Sequence, residues 1–234
     1  MSYGEIISGG NVADWRLNGN VNDSGPGGNN FASSSLTYEK GKFNQCGKFN
    51  GSSNHCTISS NLGIGHLGPV TFSMWVRPDI YPANGAYINA MVMYDHINHI
   101  TYILRYERND SKGGYRVYAG CLQGGNVWVY SVFTGIPMSL TEWSHWAYVV
   151  DSTTIELFWN GQSAGQTAVS GTTIYTSNTQ TLIGSYRNWN NTSRTGYWDG
   201  EIDEVIVSKS CWTAGDVRKY YSLGRGSLLM PQVI

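Results

Sequence analysis

Charged side chains are sparse in this sequence: Lys, Arg, Asp and Glu make up 13% of 234 residues, and the formal net charge is −1. No basic patch able to neutralise a run of phosphates is visible, which argues against nucleic acid as a partner. Long apolar runs are missing too. Nothing approaches the ~20 residues that cross a bilayer, so no membrane span is expected. The opening "MSYGEIISGGNVADW" has neither a basic n-region nor an apolar core, and no signal peptide is recognised in it. Cysteine is limited to Cys46, Cys56, Cys121 and Cys211 with no C-x-x-C pair, which removes a structural zinc site. Cys46 and Cys56 flank a turn and either pair across it or stay reduced. With 6 prolines there is no proline-rich linker, and neither a fixed-period repeat nor a shift in composition divides the chain.

Aromatic and small residues are abundant instead, with 9 Trp, 16 Tyr and 29 Gly. Short runs rich in β-branched and aromatic residues recur from "VADWRL" at 12–17 to "IDEVIVS" at 202–208, each bounded by Gly, Asn, Ser or Thr. About a dozen such runs in one unit imply an all-β fold of two antiparallel sheets packed face to face. In "FSMWVRP", alternation puts Phe72, Met74 and Val76 on one face and Ser73, Trp75 and Arg77 on the other. Trp15, Trp75, Trp143, Trp146 and Trp159 are assigned to packing. "WSHWAYVVD", leading by a tight turn at Ser152 and Thr153 into "TIELFWNG", reads as a hairpin closed by Asn160-Gly161. A single helix is expected, from Thr213, with Thr213 and Asp216 as a capping box and Val217, Tyr220 and Tyr221 as its apolar side. The organisation read from this pattern is an arm at 1–11, a domain at 12–209, and a short helix and tail at 210–234. The apolar Leu228, Leu229, Met230, Val233 and Ile234 either fold back or dock on a partner subunit.

Four segments in order resemble the laminin-G-like jelly roll of the concanavalin A-like lectin and glucanase superfamily. They are "VADWRLNGNVNDSGPGG", "KFNGSSNHCTIS", "VTFSMWVRP", and "EWSHWAYVVDSTTIELFWNGQSAG" followed by "LIGSYR" and "GEIDEVIVSKSCWTAGDVRKYY". The resemblance covers roughly residues 12 to 222 and implies a two-sheet antiparallel jelly-roll sandwich with a short C-terminal helix. It leaves function open, because lectins, hydrolases, adhesion modules and virion proteins share the fold.

The stretch "DGEIDEVIVSK" crowds Glu201, Asp203 and Glu204 together. The superfamily's glucanases carry acids at i, i+2 and i+4 on one strand face, where a retaining pair stands ~5–5.5 Å apart. Here i+4 is Val205, and alternation points Glu204 the other way, toward water, so no enzyme is expected. Alternation also puts Asp203 on the inter-sheet face with Val205 and Val207. In related jelly rolls the corresponding Asp ligates a structural Ca2+. Carried over by position, the resemblance implies Asp203, the Gly51 carbonyl, Asp14 and Asp23 as metal ligands. The alternative is Asp203 hydrogen-bonded to backbone N–H groups of the first strands.

For carbohydrate binding, "YRNWNNTSRTGYW" offers Tyr186, Arg187, Trp189, Asn190, Asn191, Arg194 and Tyr197, aromatic faces beside planar polar groups. A self-packed loop or a subunit contact is the other reading of it. "DHINH" adds Asp95, His96, Asn98 and His99 at a turn. The expectation is a non-enzymatic adhesion or structural protein, extracellular or virion-associated: a phage tail, capsid-decorating or other surface-assembly component. Its partners would be glycans or cell-surface polysaccharide, further copies of itself, or other virion proteins. The alternative is a free carbohydrate-binding lectin, with glycoside hydrolase a distant third.

Overall fold

A computed structural model describes residues 10–33, 35–60, 62–64, 68–95, 100–123, 127–135, 137–169, 178–187 and 193–225. Two antiparallel sheets form, as the alternating runs require. The first runs β13 (Gln162–Ala168), β12 (Thr154–Trp159), β11 (Ser144–Val150), β6 (Val70–Pro78), β17 (Asp199–Ser208), β4 (Gln45–Asn50), β3 (Thr37–Lys40), with β1 (Asn11–Trp15) also paired to β17. The second runs β10 (Val127–Thr134), β9 (Gly114–Gln123), β8 (Ile100–Asn109), β7 (Tyr87–Asp95), β14 (Asn178–Ile183), β5 (Cys56–Ile58), β2 (Ala32–Ser33). A small hairpin, β15 (Tyr186–Arg187) with β16 (Arg194–Thr195), stands beside the second sheet.

The strands that sequence alternation does not reveal are β2, β3 and β13, all three edges of the main sheets, and the two-residue strands β15 and β16 of the small hairpin. An edge strand such as β13, "QSAGQTA", buries no residue fully, so no apolar face announces it. Its position is nevertheless signalled by Asn160 and Gly161. Both have positive φ, 48° and 79°, the geometry of a type I′ hairpin turn leading from β12 into β13.

The core between the sheets follows alternation on β6, where Phe72, Met74 and Val76 point inward beside Trp15, Phe49, Trp146 and Trp198. On β8, Tyr102, Leu104 and Tyr106 point inward and leave Ile103, Arg105 and Glu107 outward. Cys46 and Cys56 lie on different sheets and are free thiols, as are Cys121 and Cys211.

The outer face of the first sheet is apolar and covered. Trp75, Ala147, Val149, Phe158 and Ile206 pack beneath α1 (Ala214–Arg225), against Trp212, Val217 and Tyr220. The capping box is reciprocal: Asp216 Oδ2 accepts from the Thr213 N–H at 2.8 Å, and Thr213 Oγ1 accepts from the Asp216 N–H at 3.2 Å. Twelve residues make a marginal helix in water. Burying a side chain such as Val217 contributes roughly 1.5–3 kcal/mol, so packing holds α1 in place. From α1, Tyr221 stacks on Trp75 at 5.6 Å, and Trp75 flanks His145 at 5.1 Å. Fully buried, His145 shares a 2.9 Å hydrogen bond with Ser73 Oγ, and burial drives its pKa down to about 3.

Gly224 lies against the Trp75 indole, where an added Cβ would overlap the ring. Overpacking of this kind costs ~1–3 kcal/mol, so Gly224→Ala is expected to lower the melting temperature by roughly 3–10 °C. The Trp75 and Tyr221 environment should become more exposed in near-UV circular dichroism. An unchanged melting curve would mean that α1 does not need this close approach.

Candidate functional site

Glu201 and Asp203 share a face of β17 as alternation suggests, but the alternation breaks after Asp203. The pairing of β17 with β6 shifts by one residue between Asp203, opposite Trp75, and Ile206, opposite Ser73. The extra residue is accommodated at Glu204, whose φ is 49°. Asp203 therefore faces outward with Trp75, while Val205 and Val207 face the core, which corrects the expectation that the three share a face. Nor is Glu204 in water, for it is 2% exposed.

Glu201 also points outward and is 1% exposed, with Lys48 Nζ at 2.5 Å and Arg77 Nε at 2.8 Å. Burial alone would raise its pKa, but hydrogen bonds from Arg77, Glu39 and Lys48 bring it down to about 2. It is held ionised and cannot donate a proton. Asp203 Oδ2 accepts the Phe43 N–H at 2.9 Å, from the turn between β3 and β4, and also the Lys42 and Glu204 amides. Burial still lifts its pKa to about 7. Glu204 rises to about 8, through burial and then the charges of Asp203 and Asp14. Asp14, 3% exposed and 3.3 Å from Arg16 Nη2, is raised by burial too. One oxygen on each of Asp14, Asp203 and Glu204 is buried without a hydrogen-bond partner among the described residues.

Of the residues implied as calcium ligands, Asp14 and Asp203 both approach Glu204, but Gly51 does not join them and the Asp23 carboxylate is already engaged. Gly51 packs on Asp199, roughly 13 Å along β17 from Asp203 at ~3.3 Å per residue. The Asp23 carboxylate is occupied by the amides of Asp14 (2.8 Å), Gly25 (2.7 Å) and Asn29 (2.8 Å), which fold the 19–31 loop. Among the described residues no three His, Cys, Asp or Glu side chains are arranged to hold a metal ion. Asp14, Asp203 and Glu204 stand at the seam as buried carboxyl groups.

A different kind of site lies on the outer face of the second sheet. Tyr87, Ile100, Ile103, Arg105, Tyr118 and Tyr186 line an open cleft of about 270 Å³. Outward residues of neighbouring strands meet there because Arg105 stands opposite Tyr118 in the β8–β9 pairing. The Arg105 guanidinium lies 4.4 Å from the Tyr118 ring and 4.9 Å from the Tyr87 ring. Glu107 anchors it from below, at 2.6 Å, and pairs with Arg116 as well. Tyr186 meets Tyr87 edge to face at 6.1 Å. Tyr118 leans over Gly120 to stack on Tyr130 at 4.8 Å, and a Cβ on Gly120 would come within 2.9 Å of the Tyr118 ring.

Of the carbohydrate-binding residues named from sequence, Tyr186 lines this cleft. Arg187 sits beside it, its guanidinium 5.2 Å from the Tyr94 ring, while the Tyr94 hydroxyl accepts the Arg187 N–H at 2.6 Å. Tyr197 packs elsewhere, 6.5 Å from His55. Trp189, Asn190 and Asn191 lie outside the described residues, as do His96, Asn98 and His99. Tyr87, Arg105 and Tyr118 were missed. Alternation in "TYILRYER" and "YRVYAG" puts Arg105 and Tyr118 outward, but only the β8–β9 register brings them together.

A family model described as the concanavalin A-like lectin/glucanases superfamily matches residues 50–218. No curated protein sequence matches the chain. Among solved structures, domain 4 of AbnA, an extracellular arabinanase from Geobacillus stearothermophilus solved with arabinotriose, is similar at a TM-score of 0.66 and 16% identity, over 91% of this chain and 98% of that one. The binding domain of Paraclostridial Mosquitocidal Protein 1 is similar at 0.72 and 11%, over 91% and 52%. The binding domain of botulinum neurotoxin serotype G is similar at 0.70 and 13%, over 93% and 51%. The chain thus spans about half the length of the toxin binding domains. At these identities the likeness is one of fold.

The buried acids make stability depend on pH. Raised folded-state pKa values mean that the folded form keeps protons the unfolded chain has lost, so stability falls as pH rises through about 7 and 8. His145 acts oppositely, but its contribution is complete above its unfolded value of 6.5 and so is constant in this window. Between pH 6.5 and 9 the melting temperature is expected to drop by several degrees, less so in Glu204→Gln, with EDTA making no difference. A rise on adding millimolar calcium at pH 8.5, reversed by EDTA, would show a cation standing in for those protons.

Proposed function

This chain belongs to the concanavalin A-like lectin/glucanases superfamily, and on that footing we propose that it is a non-catalytic glycan-binding module working outside the cell. The observation that carries this reading is the cleft of Tyr87, Arg105, Tyr118 and Tyr186. The partly exposed rings of Tyr87 and Tyr186 offer apolar surface to the C–H face of a sugar, while Tyr118, covered by Arg105 and Tyr130, holds the guanidinium whose N–H donors face its oxygens. The arabinotriose found with the arabinanase domain supports a sugar ligand for this fold.

The acids of β17 speak for binding without hydrolysis. Glu201 is locked in ion pairs, Asp203 is bound by backbone amides, and neither lines the cleft. The acids of "DGEIDEVIVSK" instead pin the seam where β17 meets β1, β4 and the turn after β3.

A second, finer reading makes the module a virion or other surface-assembly component, with copies of itself or other particle proteins as partners. It rests on the low overall charge and on Ile80 and Tyr81, adjacent large side chains 45% and 42% exposed. Size-exclusion chromatography with light scattering is expected to show oligomers under this reading, and a monomer would remove it.

The glycan reading is tested on a glycan array with wild type, Tyr186→Ala and Trp189→Ala. At least a tenfold loss of signal is expected for Tyr186→Ala, together with no reducing-sugar release from any bound polysaccharide. Equal signals from wild type and Tyr186→Ala would place binding elsewhere, and hydrolysis would overturn the non-catalytic assignment.

A further inference from the structure

The cleft continues beyond Tyr118 toward the edge of the second sheet. In the registers of β8 with β9 and of β9 with β10, Ile103, Gly120 and Tyr130 form one row across the outer face. Gly120 is the gap in that row. Its φ lies outside the left-handed region, so backbone conformation does not call for glycine there. What calls for it is the Tyr118 ring, which comes within 2.9 Å of a Cβ built at that position. Glycine inside a strand weakens it and marks places where another group comes close to the backbone.

Lying over Gly120, Tyr118 fills the space between Arg105, 4.4 Å from its ring, and Tyr130, stacked on it at 4.8 Å. At 8% exposed it is a support with no free face. Tyr130 is the ring it holds out, 43% exposed. A single exposed tyrosine is ordinary on a protein surface; Tyr130 differs because its stack runs back into the cleft. The strand order puts Tyr87 and Tyr130 on opposite sides of Tyr118, three strand spacings apart, which is about 14 Å. Tyr186, edge to face with Tyr87, stands at the same end as Tyr87. Two partly exposed aromatic ends, farther apart than one sugar ring is wide and with the Arg105 guanidinium between them, suit a chain of sugars better than a single one.

Resting on the glycan reading above, we propose that Tyr130 is a second sugar platform and that the ligand is an internal stretch of a polysaccharide, about three sugars long, crossing the strands from Tyr87 and Tyr186 to Tyr130. The end sugars lie against tyrosine rings, and Arg105, its side chain 24% exposed, donates to the oxygens of the sugar between them. A monosaccharide reaches one platform alone, so affinity grows with chain length until both are covered.

The full chain is tested by titration with cello-, xylo-, malto- and chito-oligosaccharides of one to six units and with the parent polysaccharides. The expected result is binding to at least one series, at least tenfold tighter at three units than at one and level from four to six. Tyr130→Ala, at an exposed position, is expected to lose at least tenfold on three units and longer and nothing on one unit, with its melting temperature unchanged. Tyr130→Phe keeps the ring and is expected to bind as wild type does, whereas Tyr186→Ala loses affinity at every length. If Tyr130→Ala matches wild type at all lengths, or if one unit binds as tightly as three, the second platform is overturned and the glycan reading stands on Tyr186. Equal losses in Tyr130→Phe and Tyr130→Ala would remove the ring-stacking role. No binding to any series or polysaccharide would overturn this proposal and the glycan reading together.

Discussion

A one-residue bulge in β17 governs the arrangement of the first sheet. This strand lies against β6 on one side and against β4, then β1, on the other. The left-handed conformation of Glu204 inserts an extra residue where the partner changes from β4 to β1. Before it, Glu201 and Asp203 point outward and Ile202 inward; after it, Val205 and Val207 still reach the core. Without the bulge, either the acids or the valines would be on the wrong side. The bulge lets one strand place charged groups at the β4 seam and an unbroken apolar row between the sheets.

The seam is costly by itself, because four carboxyl groups, Asp14, Glu201, Asp203 and Glu204, lose water there. Two solutions stand side by side. Glu201 keeps its charge by accepting from Lys48 and Arg77, whereas Asp203 and Glu204 are driven toward the neutral form. The same sheet covers its apolar outer face with α1. The second sheet leaves part of its outer face open, and there tyrosines and arginines replace aliphatic side chains. One face is closed under α1 and the other left partly open, a division that a two-sheet sandwich makes available because each sheet has a single face toward the core.

Much of the fold was legible wherever one side of a strand is buried. Phe72, Met74 and Val76 on β6, the Thr213–Asp216 capping box and the Asn160-Gly161 turn all sit where local chemistry puts them, since each depends on neighbours within a few residues. Edge strands β3 and β13 left no alternation to read. Simple alternation failed on β17 because a bulge is a property of the pairing with β6, and nothing inside "IDEVIVS" marks the residue that will be skipped.

Side-chain period and turn chemistry, acting over short range, were enough for the sequence by itself to determine an all-β sandwich, its capped helix and the inward residues of its regular strands. Strand register was left to the tertiary structure. Only the pairing of β8 with β9 and the approach of β7 and β15 bring Tyr87, Arg105, Tyr118 and Tyr186 around one cleft, from segments up to about a hundred residues apart. Contacts across such separations depend on how whole sheets twist and align, and no local pattern of residue types encodes that alignment.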